Sequence, residues 1–286
     1  MMEKIKSMLA KGPLHIVVLS IGIVWLIPTF GLFISSLRPT KAVTNSGWWT
    51  VFLHPYRLTQ LTIQNYETVI TQQGLGQAFL NSLFITVPAV IIPILVGAFA
   101  AYGLAWMKFP GREVLFTAIV GLLVVPLQMT LIPILRVLNI IGLAGTFPGI
   151  WLAHSGYGLP LTVYLLHNFI AGLPSDLFDS AEVDGATEMQ KFFKIVLPLS
   201  TPAIASVVIF QFIWVWNDLL VALVYLGGSP DVAPLTVKLT NMVGTFGQNW
   251  ELLTAAAFVS MLLPLAIFFS LQRYFVRGLT AGAVKG

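Results

Sequence analysis

Asp179-Ser-Ala-Glu-Val-Asp-Gly185, followed after nine residues by Ile195-Val-Leu-Pro198, forms an acidic island inside a very apolar chain. Five of the eleven carboxylates lie between Asp176 and Glu188. Long apolar runs precede and follow this segment. Because charged groups are costly inside a bilayer, we expect the segment to lie outside the membrane and to contact something soluble.

The composition indicates a membrane protein. Of the 286 residues, 57% are hydrophobic and 9% are charged, whereas soluble domains carry about 25% charged residues. The absence of cysteine excludes disulfides and thiolate metal sites. The net charge is only +4, and the basic residues are scattered, which argues against a nucleic-acid partner. The apolar run 14–37 is longer than the core of a signal peptide, so we interpret it as a retained span.

The hydrophobic pattern predicts an all-α membrane protein with six transmembrane helices. A bilayer core takes about 20 apolar helical residues, and lipid offers no partners to unpaired backbone groups. Turn-like interruptions such as 108–112 and 227–231 separate the apolar runs. We expect a single transmembrane domain, residues 1–286, whose spans are 14–37, 79–107, 114–135, 148–172, 201–226 and 252–272.

The distribution of lysine and arginine predicts that both termini are cytoplasmic. With this orientation, ten basic residues lie inside and five outside, as the positive-inside rule favours. The acidic island then forms a cytoplasmic loop, residues 174–198, and residues 38–78 form an extracytoplasmic loop. The inside set is Lys4, Lys6, Lys11, Lys108, Arg112, Lys191, Lys194, Arg273, Arg277 and Lys285, and the outside set is Arg38, Lys41, Arg57, Arg136 and Lys238.

The extracytoplasmic loop 38–78 is rich in aromatic residues, including Trp48, Trp49, Tyr56 and Tyr66. Amphipathic rings settle at headgroup level, so these side chains fit an interfacial belt. They also fit a docking surface for an extracytoplasmic partner. The sequence leaves both interpretations open.

Local signals predict that the loop 174–198 is a helix, a glycine turn and a second helix. Pro174 ends the fourth span, and Ser175 is the expected N-cap of the first loop helix. Gly185 permits the turn. The second helix, 188–195, is expected to stop at Leu197-Pro198. On composition alone, such a helix pair could also do no more than join two spans.

The spacing of this loop resembles the EAA loop of permease subunits in ATP-binding-cassette importers, which reads E-A-A, three residues, G, nine residues, I-x-L-P. Here Asp179 and Ser180 replace the glutamate and the first alanine, which keeps the negative charge and the small volume. The resemblance implies that the loop lies in a cleft of an ATPase subunit and carries its movement into the spans. The residues it assigns to ATPase coupling are Asp179, Ser180, Ala181, Glu182, Asp184, Gly185, Ala186, Ile195, Leu197 and Pro198.

From about residue 78 to its end, the chain is similar to the carbohydrate branch of this family, in particular to the six-span maltose-type subunit. The stretches that carry the similarity are 81–83, 101–103, 109–111, 184–186, 216–218 and 274–282. The resemblance implies an inner-membrane permease of bacteria or archaea that imports an oligosaccharide or a glucoside. It also implies three kinds of partner: a second, similar permease, two ATPase subunits and an extracytoplasmic sugar-binding protein. The tail 278–286 would reach between the ATPases, or would simply fray.

ATP chemistry is expected on the partners. The chain has no Gly-x-x-x-x-Gly-Lys-Ser/Thr motif to cradle phosphates. We therefore predict a transport subunit that is not an enzyme and binds no cofactor, with ATP and Mg on the separate ATPase subunits. No metal site is predicted either, because His154 and His167 are about 20 Å apart along one helix.

A substrate path is predicted on the fifth span. Gln211, Trp214 and Asp218 share one helical face, with Asn217 beside it. Sugar hydroxyls need hydrogen-bond partners and sugar C–H faces stack on rings, which suits this mixture. The alternative is that Asp218 lies near the interface and caps or hydrates. In the resembled maltose-type pair, moreover, the partner permease holds most sugar contacts.

Two other classes remain as alternatives. An ion-coupled secondary transporter would need intramembrane carboxylates and commonly shows paired repeats, whereas Asp218 is the one candidate and no repeat is apparent. A membrane-embedded enzyme would need a catalytic cluster, whereas the carboxylates lie in a loop without histidine nearby. Loss of uptake and of ATPase co-purification in Gly185→Asp, with insertion intact, would favour the importer over both.

Overall fold

The computed structural model describes the backbone of residues 2–243 and 249–283 and the side chains of residues 12–54, 56–243 and 249–272. Within these ranges the chain is helical and contains no strand, as the sequence predicts. The α-helices are α1 Met2–Ser36, α2 Thr40–Asn45, α3 Thr50–Leu53, α4 Gln64–Glu67, α5 Leu75–Trp106, α6 Arg112–Gly121, α7 Leu127–Ile140, α8 Phe147–Ile170, α9 Ser175–Val183, α10 Glu188–Lys191, α11 Leu197–Leu199, α12 Thr201–Trp216, α13 Leu220–Leu226, α14 Leu235–Met242 and α15 Trp250–Ala283. Short 3₁₀ turns occupy Pro55–Gln60 and Leu122–Val124, and π-helical turns occupy Thr68–Gln72 and Phe192–Val196.

In the part of the chain that the structure describes, three helices are long and apolar enough to cross a membrane: the Gly12–Ser36 part of α1, the whole of α5, and the Trp250–Gln272 part of α15. They match the predicted spans 14–37, 79–107 and 252–272. The chain is therefore a multi-pass membrane protein, and the count of six spans stays a prediction. The predicted span 148–172 corresponds to the 24-residue helix α8, which is long enough to cross a membrane but is not one of these three helices.

Two predicted spans are interrupted, one by a sharp bend and the other by a gap between two helices. The segment predicted as 114–135 bends by 105° between Leu122–Val124 and α7. The bend falls at Pro126, which cannot donate a backbone hydrogen bond. The segment predicted as 201–226 also does not form one helix, because α12 ends at Trp216 and α13 begins at Leu220. Asp218 therefore lies in a break and not on the helical face of Gln211 and Trp214.

The described residues group into two compact units. The first comprises Met1–Gly76 and Leu239–Ser260, and the second comprises Gln77–Lys238 and Met261–Gly286. The predictions for Lys285 and for the end of the tail lie outside the described residues, as do those for the side chains of the basic residues before 12 and after 272. The orientation of the termini stays a prediction.

In the first unit, the segment 38–78 is folded around buried polar groups. The Arg38 side chain is buried and donates to the carbonyls of Ala42, at 2.7 Å, and Ser46, at 3.0 Å. Asn65 donates to the carbonyls of Ser36 and Arg38. Buried polar groups whose hydrogen bonds are all made hold the surrounding backbone in one conformation. This segment is therefore an ordered cap at the end of α1.

The aromatic residues of this segment divide between packing and exposure. Trp48 lies edge-on to Phe30 of α1, at 6.1 Å between ring centroids. Tyr66 shares a 2.7 Å hydrogen bond with Ser36. Trp49 and Tyr56 are more than half exposed. The two exposed rings of Trp49 and Tyr56 therefore fit either an interfacial belt or a docking surface.

The second unit packs α5, α8, α12 and α13 around a core that includes Ile150, Val221 and Tyr225. Asn81 near the start of α5 donates to the carbonyls of Asp231 and Ala233, at 2.9 and 3.1 Å. These bonds tie the turn after α13 to α5. The core thus fixes the second unit's long helices, to which the loop 174–198 attaches.

Candidate coupling loop and polar path

The loop 174–198 has the predicted helix, turn and helix. Helix α9 ends at Val183 and is followed, after Asp184, by Gly185, whose φ is +73°. The Gly185 amide donates to the Glu182 carbonyl and the Ala186 amide to the Ala181 carbonyl, at 3.0 and 2.9 Å. This pattern is a Schellman cap, which requires a left-handed residue after the helix and therefore favours glycine.

Both ends of the loop differ in detail from the prediction. The N-cap of α9 is Pro174 and not Ser175, which is the first helical residue. The second helix begins with a capping box in which Thr187 and Gln190 bond each other's backbone amides. Leu197-Pro198 does not stop it, because the chain continues through the π-helical turn and α11 and bends by 72° at Ser200.

The residues assigned to coupling divide into an exposed group, most of whose members are polar, and an apolar group that faces the protein. Asp179, Ser180, Glu182, Asp184, Gly185 and Pro198 are exposed. Ala181 is buried, whereas Ala186, Ile195 and Leu197 are half-buried. The loop therefore presents three carboxylates close to the turn, while its small and branched residues pack beneath them.

Large apolar side chains of the loop are also exposed. Val183 is 89% exposed, Met189 58% and Leu177 41%. The packing of α9 does not involve Leu177 or Val183, because the buried residues of this helix are Phe178 and Ala181. Exposed apolar side chains beside charges make this part of the loop a candidate interaction surface.

Two ring stacks attach the loop to the end of α5. Phe178 of α9 stacks on Trp106, with ring centroids 3.9 Å apart, and the Trp106 indole donates to the Ile170 carbonyl. Phe192 stacks on Phe99 at 4.3 Å. Aromatic pairs of this kind contribute about 0.5–1.5 kcal/mol beyond the area that they bury. Sequence reasoning missed these contacts, because they join residues far apart in the chain and no local pattern marks them.

A polar contact lies between the two stacks. The Tyr102 hydroxyl donates to Oε2 of Glu188 at 2.5 Å. Lys191 Nζ lies 3.1 Å from Glu188 and 3.6 Å from Glu182. The hydrogen bond from Tyr102, followed by the one from Lys191, lowers the pKa of Glu188. Glu188 is therefore held as a carboxylate, and Lys191 joins the two loop helices. Although Ala101-Tyr-Gly103 is one of the stretches of resemblance, no role was predicted for Tyr102.

The predicted path residues converge on His154, which was not among them. The Gln211 amide lies 3.5 Å from the His154 carbonyl, Trp214 is edge-on to the His154 ring at 5.4 Å, and Asp218 lies 3.7 Å from His154 Nε2. Asn217 is exposed and donates to the Ile213 carbonyl. The break in the helix after Trp216 lets Asp218 turn back towards α8.

Asp218 has the capping role that was its alternative interpretation. Its two carboxylate oxygens accept from the Val221 and Ala222 amides, at 3.2 and 3.0 Å. A carboxylate is favourable there because the first amides of a helix have no intrahelical partner. This arrangement starts α13 and holds Asp218 away from open space.

Trp214 borders an open cavity. This cavity of about 620 Å³ is lined mainly by apolar residues of α7 and α8, with Thr130 and Tyr157 as polar members. Thr130 and Tyr157 share a hydrogen bond of 2.9 Å, and Tyr157 shares another with Tyr225. The lining contains no charged residue. Of the four predicted path residues, only Trp214 lines this cavity.

Gln211 satisfies a carbonyl that a proline leaves free. Pro93 has no N–H to donate to the Ala89 carbonyl four residues earlier in α5, and the Gln211 amide donates to that carbonyl at 3.3 Å. Gly158 of α8 leaves room for the Gln211 side chain, which an added Cβ would meet. The buried Gln211 therefore latches α12 onto α5.

The other proline inside α5 has the same kind of compensation. Pro88 frees the Phe84 carbonyl, and the Trp151 indole of α8 donates to this carbonyl at 2.8 Å. In the membrane interior such freed carbonyls require a partner. Neighbouring helices supply that partner at both positions.

Comparisons with known proteins agree with these features. The family described as "Binding-protein-dependent transport system inner membrane component" matches residues 93–281. An osmoprotective compounds uptake permease protein of Synechocystis sp. is 61% identical over 96% of this chain and 92% of its own length. An alpha-glucoside transport system permease protein of Rhizobium meliloti is 57% identical over 79% of this chain and 61% of its own length.

Among solved structures, the chain is similar in fold to one from a bacterial ABC transporter involved in the import of the acidic polysaccharide alginate. The TM-score is 0.75 at 23% identity, and the match covers 94% of this chain and 98% of that chain. This likeness supports the helical importer-permease fold.

Proposed function

The chain belongs to the family of binding-protein-dependent transport system inner membrane components, and from this premise we propose that it is the permease subunit of an ATP-driven importer for a carbohydrate, either an oligosaccharide or a glucoside. The observation that supports this most directly is the loop 174–198. It presents exposed carboxylates and exposed apolar side chains around a left-handed glycine, outside the apolar spans.

The partner at this loop would be an ATPase subunit on the cytoplasmic side. The carboxylates of Asp179, Glu182 and Asp184 offer charge to a basic cleft, and Val183 offers an apolar anchor at the turn. Such a mixture of an apolar contact and a charged surround is typical of transient interfaces. ATP and Mg would be bound and hydrolysed on that subunit, and this chain would form half of the translocation path with a second permease.

The proposed substrate is neutral. Relatives named for alpha-glucoside and trehalose transport support a glucoside. The cavity beside Trp214 has no charged lining residue, and it combines an indole with the hydroxyls of Thr130 and Tyr157. A ring to stack on and hydroxyls to bond fit a sugar better than an ion.

The decisive experiment reconstitutes this chain in proteoliposomes with its partner permease, ATPase subunits and binding protein. Uptake of labelled trehalose and maltose is measured with ATP supplied to the ATPase subunits, and separately with a proton or sodium gradient. We expect uptake with ATP alone. Uptake by the permeases on an ion gradient without the ATPase would overturn the proposal in favour of a secondary transporter.

The variant Val183→Asp tests the loop. Because Val183 is almost fully exposed in the isolated chain, the change should alter its unfolding free energy by no more than about 0.5 kcal/mol. A charge in the centre of an interface should nevertheless reduce ATPase co-purification at least tenfold, as a loss of about 1.4 kcal/mol or more would. The matched control is Val243→Asp, at a valine that is 55% exposed and predicted to be extracytoplasmic. Normal co-purification of Val183→Asp would exclude this loop as the docking surface.

A further inference from the structure

The loop 174–198 packs against α5, a helix to which it is not directly connected in the sequence. By covalent connection it adjoins only α8 and α12. By side-chain contact it also holds the last two turns of α5, where Phe99, Tyr102 and Trp106 lie three and four residues apart on one face. That face is about 10 Å long at 1.5 Å per residue, so the loop contacts α5 along a line and not at a point.

The two loop helices hold this face together. Glu188 and Phe192 are four residues apart and reach Tyr102 and Phe99, whereas Phe178 of the other helix reaches Trp106. Lys191, which lies within 4 Å of carboxylates of both helices, links them into one body. A push on the turn would thus be delivered to α5 as well as to the adjoining helices.

The covalent connections of the loop are a turn and a bend. Between α8 and α9 lies the turn 171–174, and between α11 and α12 the chain bends by 72°. By contrast, the Tyr102–Glu188 hydrogen bond involves an ionised acceptor, and such bonds are short and about twice as strong as neutral ones. This hydrogen bond is also directional, so it opposes sliding of the loop along α5. The two ring stacks alone would permit such sliding.

From this geometry we propose that Tyr102 and Glu188 are positioning residues that carry the movement of the loop into α5. The proposal rests on the proposed function, since it concerns the loop's movement on an ATPase. Helix α5 would then deliver the movement to its proline positions, where α8 and α12 hold the freed carbonyls of Phe84 and Ala89. The second of these contacts lies one helical turn from Trp214 and the cavity.

The test uses the reconstituted complex with all its subunits. Tyr102→Phe keeps a ring beside Phe192, at 5.7 Å in the native chain, and removes only the hydroxyl. We expect the ratio of sugar transported to ATP hydrolysed to fall about tenfold, with ATPase co-purification unchanged. Glu188→Ala should lower the ratio similarly, whereas Glu188→Gln, which keeps an oxygen acceptor for Tyr102, should restore most of it.

The matched control is Tyr164→Phe on α8, an exposed tyrosine whose hydroxyl makes no hydrogen bond within the described residues. It should leave the ratio unchanged. A purely structural role for Tyr102 would lower the yield of complex but leave transport per ATP at the wild-type value, and that result would overturn the proposal. If the wild-type complex itself neither captures an ATPase nor imports sugar on ATP, the proposed function fails instead.

A distance measurement gives an independent readout. Because the chain has no cysteine, two cysteines introduced at the exposed positions Val96 of α5 and Leu161 of α8 can each take one spin label. We expect trapping of the ATP-bound state to change the distance between the labels, and Tyr102→Phe to remove most of that change. An equal change in both proteins would show that α5 moves without this contact and would overturn the proposal.

Discussion

The contact between Gln211 and the Ala89 carbonyl supports a double-mutant cycle in which one substitution should rescue the other. Gln211→Met keeps the approximate shape of the side chain and removes the amide donor. The Ala89 carbonyl, which Pro93 cannot satisfy, is then left without a partner in a buried, apolar place, because Ala89 is fully buried. Leaving such a group unpaired costs about 1–3 kcal/mol of stability.

Pro93→Ala restores the missing N–H within α5. In that background the Ala89 carbonyl has an intrahelical donor, and the Gln211→Met change should cost about 0.5 kcal/mol, the loss of a redundant hydrogen bond. The expected coupling energy is thus about 0.5–2.5 kcal/mol, to be compared with the error of about 0.3–0.5 kcal/mol with which independent sites add.

Unfolding of the four proteins in mild detergent, titrated with a denaturing detergent and followed by tryptophan fluorescence, measures this energy. Equal costs of Gln211→Met in both backgrounds would refute the reasoning, because the amide would then be stabilising something other than the carbonyl freed by proline. The contact to the His154 carbonyl, at 3.5 Å, is the obvious competitor, and Pro93→Ala would not compensate for its loss.

Two further predictions use the same kind of matched comparison. Trp151→Phe removes the donor to the Phe84 carbonyl and should destabilise the chain by about 1–3 kcal/mol in unfolding experiments, and much less when Pro88→Ala is also present; the same loss with and without Pro88 would contradict it. Gly185→Asn and Gly142→Asn each place asparagine, which tolerates left-handed backbone, at an exposed site with φ of +73° or +71° and no atom within 4 Å of the added Cβ. Both variants should lose less than about 1 kcal/mol of stability. Only Gly185→Asn should abolish ATPase co-purification. If the Gly185→Asn variant retains the ATPase, the turn lies outside the docking surface.

Local features of the loop could be predicted from its sequence because their causes are local. A glycine after an amphipathic run predicts a helix C-terminus, and Gly185 closes α9 as expected. The second helix was predicted to stop at Leu197-Pro198, and it ends one residue further on, at Leu199, before the bend at Ser200.

Long-range partners could not be predicted, and they changed the interpretation of two residues. Gln211 and Asp218 were grouped with Trp214 by helical spacing, on the assumption of one continuous helix. The break after Trp216 separates Asp218 from that face. The Gln211 side-chain amide donates a hydrogen bond to the Ala89 carbonyl of α5. Neither the break nor the freed carbonyl can be read from the spacing, because both depend on which helices are neighbours.

The two prolines inside α5 raise the question of what they contribute. In a helix interior each is less favourable than alanine by about 3 kcal/mol, and the donors from Trp151 and Gln211 offset only part of this cost. A helix whose sole task was to cross the bilayer would be more stable with alanine at both positions. With proline, the hydrogen bonds at these carbonyls run between helices, so they can break and re-form without opening a turn of α5. Such contacts suit a helix that shifts against its neighbours, and α5 is the helix on which the loop 174–198 is seated. If that is their use, Pro88→Ala and Pro93→Ala together should raise the unfolding free energy and lower the rate of ATP-driven uptake, whereas an increase in both would leave the prolines without a role in movement.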